Sequence, residues 1–294
     1  EDKQKATGVQ VIDAETNETT EYFADVIFLN ASTLNTNLIL LNSKSKRFPD
    51  GLGNDNGLLG KYVAFHNYRG VVNGTFEGKS DWTVEARKPT SSYLPRFRNV
   101  YRQETDFLRG YAAGFVAKPA SPVNSDGFGA TLLENLNATE ENGIWHVNSH
   151  MMGETIPKES NQVSLSTEQN DKWGMPLLKV DVDYDDNDEK MLKDYFVEMG
   201  EMFEKAGFKN IQTKDNGRNP GNDIHEMGGV RMGKDPKTSL LDKWNRLHNC
   251  KNVYVTDGAC MPSVSTQNPS LTFMALTARA ADHALKNIGL IRGY

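Results

Sequence analysis

The chain lacks most features of disulfide-stapled, membrane-spanning or nucleic-acid-binding proteins. Its 294 residues include only two cysteines, Cys250 and Cys260, which are not spaced as a CxxC pair. They predict buried, inert thiols rather than a disulfide framework. No apolar run approaches the ~18 residues that cross a bilayer. The formal net charge is -6 and no basic run interleaves with aromatic residues, which argues against nucleic acid as a partner.

Signatures of hydrolases and metal sites are also missing. There is no Gly-x-Ser-x-Gly elbow, and His225-Glu226 fails as a zinc-protease motif because Gly229 stands where the second histidine belongs. The acidic stretch 181–189 fails the calcium-loop pattern and is interpreted as the start of a helix, where negative charge is favoured. His146 and His150 are interpreted as ordinary strand histidines. The sequence therefore predicts no metal site.

What remains is the composition of a globular protein, with 37% hydrophobic and 24% charged residues. The residue patterns predict an α/β fold, α+β overall. Residues 6–29 predict a hairpin followed by a buried strand, whose apolar run covers 24–30, and a helix is expected over 33–42. A strand that leads into a helix through a short polar joint is typical of a ligand-binding edge of an α/β layer.

The middle of the chain predicts an antiparallel sheet with one solvated face. Short β patterns alternate with turns between residues 68 and 183, at 111–117, 144–151, 162–166 and 177–184. An amphipathic helix is expected from Asp186 to about Ala206, closed by Gly207. The last helix is expected to begin at Pro269, since proline is favoured at the first helical position.

A histidine stands beside a glycine-rich turn near the C-terminus. Gly228, Gly229 and Gly233 permit close backbone approach beside His225. A neutral imidazole with a pKa near ~6.5 can accept a proton around neutral pH, so His225 is a candidate base. His66 comes after a glycine-punctuated loop and, taken alone, is interpreted as structural.

Two further features lie near that histidine in the sequence. Asp257 and Gly258 come directly after a β run, which puts a carboxylate at the end of a strand where α/β sheets bind ligands. Asn268 precedes a helix whose free N–H groups and dipole favour an electron-rich atom. The alternative is that Asn268 is only the N-cap of that helix. The residues alone leave both interpretations open.

Together these motifs resemble the C-terminal part of the glucose–methanol–choline (GMC) FAD-dependent oxidoreductases. The strongest matching segments are 225–236, 252–259, 268–272 and 278–282. Segments 6–9, 24–32 and 40–43 resemble the family's mid-chain strand and helix, and segment 57–62 with His66 resembles the family's next stretch of chain. The His-x-x-Gly-Gly-x-Arg-Met-Gly form is most similar to the bacterial sugar and polyol dehydrogenases, such as gluconate, fructose and glucoside dehydrogenases.

The resemblance implies FAD as the cofactor and assigns residue roles. His225 would be the catalytic base and Asn268 its partner. The implied cofactor-binding residues are Asp257, Gly258, Ala259, Asn268, Pro269 and Ser270. The fold implied is the C-terminal part of an FAD-binding Rossmann-like domain (1–65 and 225–294) plus an antiparallel-sheet substrate domain with flanking helices (66–224).

The family's N-terminal Gly-x-Gly-x-x-Gly unit has no counterpart here, so we expect the chain to be part of a longer protein. The implied function is oxidation of the CH–OH group of a sugar or polyol, with hydride passing to flavin N5. The implied electron acceptor is a quinone, or a cytochrome or small subunit acting as a partner. Two alternatives stay open: an oxygen-using oxidase of the same family, and a non-catalytic binding or partner module.

Overall fold

A computed structural model of the chain describes residues 5–78, 91–119, 128–137, 143–222 and 224–289. The chain divides into two compact units. Unit 1 comprises Glu1–His66, Thr155–Asp183 and Asn219–Tyr294, and unit 2 comprises Asn67–Glu154 and Tyr184–Arg218. The segment Thr155–Asp183 thus groups with the terminal segments, although it falls within the region 66–224 that the resemblance assigns to the substrate domain. The functional labels of the two units stay a prediction.

Unit 1 begins with the predicted hairpin, which is confirmed. Strands β1 (Gly8–Ile12) and β2 (Thr19–Phe23) pair antiparallel. The carboxylate of Asp13 organises the turn by accepting hydrogen bonds from the N–H groups of Glu15 and Thr16, at 2.9 and 2.7 Å. Such side-chain-to-backbone bonds are the reason that aspartate favours turns.

The buried strand expected over 24–30 is much shorter than predicted. Strand β3 (Ile27–Phe28) is two residues long and pairs parallel with β12 (Val253–Tyr254). The Phe28 ring stacks on Tyr254 with centroids 5.0 Å apart, yet 37% of Phe28 is exposed. An apolar run predicts that a segment packs against a core, but it does not predict how many of its residues form backbone hydrogen bonds with a neighbouring strand.

Clusters of apolar side chains pack between the remaining elements of unit 1. Helix α1 (Thr33–Asn42) has the predicted bounds, and β9 (Gln162–Asn170) pairs antiparallel with β10 (Pro176–Asp181). A small cluster contains Val63, Phe65 and Val163. The larger cluster contains Leu40, Leu59, Val230, Leu240, Leu241, Leu247, Cys250, Val253, Val255, Ala259 and Cys260. Both cysteines are buried and free, as predicted.

Unit 2 is built on an antiparallel sheet, which confirms the expected sheet type. The predicted strands at 162–166 and 177–184 are not part of this sheet, because β9 and β10 form a separate two-stranded sheet. Its path is β11-β5-β8-β7-β6, and the short β4 also pairs β8, so the sheet has six strands. The bounds are β4 (His66–Asn67), β5 (Gly70–Phe76), β6 (Ser92–Leu94), β7 (Tyr111–Pro119), β8 (Trp145–Glu154) and β11 (Lys209–Asp215). Strand β11 was not predicted, because all of its residues except Ile211 are exposed and no apolar pattern marks it.

Unit 2 also contains α2 (Ala130–Asn137) and the long helix α3 (Asp186–Lys205). The Asp185 carboxylate accepts from the N–H groups of Asn187 and Asp188, and the Asp188 side chain bonds back to the Asp185 N–H. This capping box confirms that the acidic stretch starts a helix. The inward face of α3 packs in a core with Val72, Phe107, Tyr111, Ala113, Val147 and Met151.

Helix α3 ends as expected, with Gly207 in the left-handed region at φ 85°. The last helix, α4 (Ser270–Lys286), lies in unit 1 and begins one residue later than predicted. No helix in the described part of the chain is both long and apolar enough to cross a membrane. The fold as a whole is mixed α/β.

Candidate active site

The candidate base, His225, lies on a stretch of unit 1 that pairs with the segment around Ala64. Ala64 and Met227 form an antiparallel bridge with reciprocal N–H···O distances of 2.9 and 3.0 Å. In antiparallel pairing, the residue two beyond Ala64 faces the residue two before Met227. His66 and His225 therefore meet. The His66 Nε2 lies 2.9 Å from the His225 Nδ1, with the rings at 85°.

The backbone of His225 is held in an uncommon conformation. Its φ of 65° lies in the left-handed region, which a non-glycine residue seldom adopts. The next residues are anchored, since the Thr33 hydroxyl donates to the Glu226 carbonyl at 2.6 Å and the Gly228 N–H donates to the Gly258 carbonyl at 2.9 Å. A strained residue costs on the order of 1–3 kcal/mol and persists when its surroundings over-determine it.

The glycines beside His225 serve packing within unit 1. Gly228 and Gly229 have φ of 89° and 85°. A Cβ on Gly228 would overlap the carbonyl oxygen of Tyr62, and a Cβ on Gly229 would overlap the Asn37 amide. The sequence predicts a close backbone approach at these glycines, and the groups that approach them are the Tyr62 carbonyl and the Asn37 side chain.

Asn268 turns toward the imidazole and does not cap α4. The N-cap position is occupied by Pro269, and no side-chain hydrogen bond caps the helix. The Asn268 Nδ2 instead lies 3.4 Å from the His225 Nε2. The N-cap interpretation of Asn268 is therefore wrong, and the two side chains singled out from the sequence face each other.

A small apolar cluster brings the start of α4 next to the histidine. Ala64, Met227 and Val264 are buried together, and Met261 and Phe273 pack against them. Ala64 and Met227 belong to the bridge that positions His225, while Phe273 lies in the first turn of α4. The burial of these side chains is what places Asn268 beside an imidazole that is 43 residues away in sequence.

The solvent exposure of the three site residues increases from His66 through His225 to Asn268. His66 is fully buried, His225 is half-buried and Asn268 is exposed. The Nδ1 of His225 therefore faces the protein interior, and its Nε2 faces the open side. Burial lowers the pKa of His225 below the ordinary histidine value. The imidazole is accordingly neutral at neutral pH, as a proton acceptor requires.

Three of the other predicted cofactor-binding residues, Asp257, Gly258 and Ala259, have hydrogen-bond partners inside the protein. The Asp257 carboxylate accepts from the Thr36 hydroxyl at 2.6 Å and from the Ala259 N–H at 3.0 Å. Asp257 thereby caps a short 3₁₀ helix (Gly258–Cys260), and burial raises its pKa. Pro269 and Ser270 lie at the start of α4 beside Asn268. Contact of any of these residues with FAD stays a prediction.

Sequence reasoning missed one member of this group. His66 was interpreted as structural, but it is the residue whose ring contacts the candidate base directly. The two histidines are 159 residues apart, and no local pattern in the sequence indicates that they pair. Within the described ranges, no group of three or more His, Cys, Asp or Glu residues is arranged to hold a metal ion.

Comparison with known protein families identifies the family that the C-terminal region matches. Residues 157–277, which include His225, Asp257 and Asn268, match the family described as GMC oxidoreductase. The chain carries the C-terminal domain of the GMC oxidoreductases. Members of this family use FAD. The resemblance noted in the sequence is thus confirmed.

Curated relatives align with nearly the whole chain. A 2-methyl-1,2-propanediol dehydrogenase of Mycolicibacterium austroafricanum is 31% identical over 299 residues, which is 95% of this chain and 51% of that protein. The fructose dehydrogenase large subunit of Gluconobacter japonicus is 26% identical over 90% of this chain and 48% of that protein. The chain therefore spans about half the length of the curated relatives it matches.

Solved structures of GMC oxidoreductases share the fold. A formate oxidase of Aspergillus oryzae, in a structure concerned with modification of its FAD, matches with a TM-score of 0.61 at 13% identity. The match covers 95% of this chain and 57% of that chain. The fold of the chain is thus that of the C-terminal half of these oxidoreductases.

Proposed function

We propose that this chain supplies the base and the hydroxyl-orienting amide of an FAD-dependent oxidation of a sugar or polyol CH–OH group. The single observation that carries the proposal is the distance of 3.4 Å between the Asn268 Nδ2 and the His225 Nε2, at the open side of the imidazole. Family membership supports FAD as the cofactor. The names of the propanediol and fructose dehydrogenases support a polyhydroxy substrate.

The residues around this pair fit a flavin. No side chain caps α4, and the N–H groups of Ser270, Leu271 and Thr272 have no acceptor within the helix. These donors and the helix dipole favour the electron-rich pyrimidine end of an isoalloxazine ring. Asn268, Pro269 and Ser270 would hold that part of the ring. Bound FAD supplies the acceptor for the carbinol hydride.

His225 and Asn268 have different roles in the proposed reaction. The His225 Nε2 accepts the proton of the substrate hydroxyl, because burial keeps the imidazole unprotonated at neutral pH. The Asn268 amide donates a hydrogen bond to the hydroxyl oxygen and stabilises the negative charge that develops there. An amide has no titratable proton near neutral pH, so Asn268 does not compete with the base.

The electron acceptor after the flavin is a further part of the proposal. The fructose dehydrogenase relative is named a large subunit. That name supports transfer of electrons to a partner subunit. The family resemblance implies a cytochrome or a quinone as the acceptor. The second candidate is an oxidase that passes electrons to oxygen, and the curated relatives named oxidases support it. Peroxide formed in proportion to the alcohol oxidised would identify the oxidase.

The test is anaerobic mixing of the FAD-loaded protein with a panel of sugars and polyols. We expect a substrate to bleach the visible absorbance of the flavin. His225→Ala should slow this bleaching by about 10²-fold or more, with flavin content unchanged. His146→Ala is a matched control, because this exposed histidine lies on β8 in unit 2.

Two outcomes would contradict the proposal. Bleaching at the wild-type rate in His225→Ala would remove this residue from the mechanism. A protein that shows no flavin absorbance, even after mixing with a separate nucleotide-binding half, would instead support the non-catalytic module.

A further inference from the structure

A second imidazole stands directly behind the proposed base. His66 is 0% exposed, and its Nε2 lies 2.9 Å from the His225 Nδ1. We propose that His66 is a positioning residue that holds His225 in the tautomer with its proton on Nδ1 and its free lone pair on Nε2. This inference rests on the proposed function, because it concerns how the base of that reaction is prepared.

The hydrogen-bond partners of the His225 ring select the tautomer. A neutral imidazole has one N–H donor and one acceptor nitrogen. The Asn268 Nδ2 is only a donor, so the His225 Nε2 that it faces at 3.4 Å is the acceptor. The Nδ1 therefore carries the proton, and this N–H donates a hydrogen bond to the His66 Nε2. Within the described residues, His66 and Asn268 are the side chains hydrogen-bonded to this ring.

The backbone around His66 is anchored. The Thr155 hydroxyl donates to the Phe65 carbonyl at 2.5 Å and accepts from the Phe65 N–H at 3.3 Å. One residue earlier, Ala64 is bonded to Met227 in both directions. Because His66 is also fully buried, its ring is confined, and it can fix the orientation of the half-buried His225.

The same contact stabilises the base after it has accepted a proton. Proton transfer from the substrate to Nε2 makes the His225 ring an imidazolium, whose Nδ1–H is a stronger donor than that of the neutral ring. The His66 lone pair is the acceptor placed to receive it. His66 thus acts through His225. In catalytic triads, likewise, a third group orients the base that takes the proton from the nucleophile.

Histidine NMR tests this inference without any substrate. The six histidines of the full chain are labelled with ¹⁵N, and the signal of His225 is assigned by its loss in His225→Gln. Long-range ¹H–¹⁵N couplings report which ring nitrogen carries the proton. We expect Nδ1–H in the wild type and in His66→Gln, which keeps an acceptor near the same position. His66→Leu should shift the population toward Nε2–H.

Kinetics of the FAD-loaded protein provide the second readout. His66→Leu should lower kcat by about 10- to 100-fold, the range found when a partner that orients a metal-bound histidine is removed, with KM near the wild-type value. His66→Gln should recover most of the loss. A purely structural role predicts the opposite pattern, since leucine suits a buried site better than glutamine does.

The outcomes separate this inference from the proposed function. A wild-type His225 protonated on Nε2, or a tautomer unchanged in His66→Leu, overturns the role of His66. The wild-type spectrum decides alone if His66→Leu does not fold. A tautomer that responds as expected, in a protein whose alcohol oxidation is unaffected by His225→Ala, would instead contradict the proposed function.

Discussion

Unit 1 and unit 2 differ in the kind of internal contact that stabilises each of them. In unit 2, the long helix α3 buries an apolar face against the sheet, with Met191, Tyr195, Met199 and Phe203 almost inaccessible. In unit 1, each sheet of the described residues has two strands. The candidate site is held by loops that are hydrogen-bonded to one another through their backbone groups. Periodic elements thus build the core of unit 2, whereas converging irregular segments build the site in unit 1.

The two longest helices sharpen this contrast. Helix α3 covers its apolar stripe within unit 2, but α4 leaves Leu271 and Met274 exposed by 78% and 68%. Burial of apolar side chains is the main stabilising contribution to folding. We therefore expect substitutions in α3 to affect stability, and those at the start of α4 to affect chemistry.

The largest expected effect is on the core of unit 2. Phe203 is fully buried and lies 4.9 Å from Phe208 between ring centroids. Phe203→Ala should reduce the free energy of unfolding by about 3–5 kcal/mol, because it leaves a cavity. Val197→Ala, at a 57% exposed position on the same helix, should change it by less than about 0.5 kcal/mol. Urea denaturation measures both.

That comparison could fail in one informative way. A loss of several kcal/mol in Leu271→Ala, at the exposed start of α4, would show that unit 1 depends on apolar burial as unit 2 does.

The second prediction concerns the chemistry of unit 1. Asn268→Ala should lower kcat of the FAD-loaded protein by about 10²-fold, because one donor to the developing negative charge is lost. Its stability should stay near that of the wild type, since Asn268 is exposed. Gln267→Ala is the control in the same loop, and a comparable loss of kcat there would attribute the effect to loop disturbance.

The smallest expected effect is a displacement of the pH profile. Burial lowers the pKa of His225, so the base loses its proton at a lower pH than an ordinary histidine, whose pKa is about 6.5. The value of kcat/KM should therefore rise with pH, level off before neutrality and fall about tenfold per pH unit below the pKa. An acid limb centred above that ordinary value would be inconsistent with this assignment.

Much of the fold could be predicted where residues repeat with the period of their structure. The hairpin β1–β2, helix α1 and helix α3 follow from alternation, turn chemistry and a capping box. Strand β11 could not be predicted, because nearly all of its side chains are exposed. The length of β3 could not be predicted either, since its partner β12 lies more than two hundred positions along the chain.

By itself, the amino-acid sequence determined the hairpin β1–β2 and the helices α1 and α3, and it indicated His225 and Asn268 as site residues, because glycine turns, a strand end and a helix start carry local signals. Only the tertiary structure decided that Asn268 faces the imidazole and that His66 stands behind it. The physical reason is that pairing of Ala64 with Met227 and burial around Val264 depend on contacts between distant segments. Such contacts leave no periodic trace in the chain.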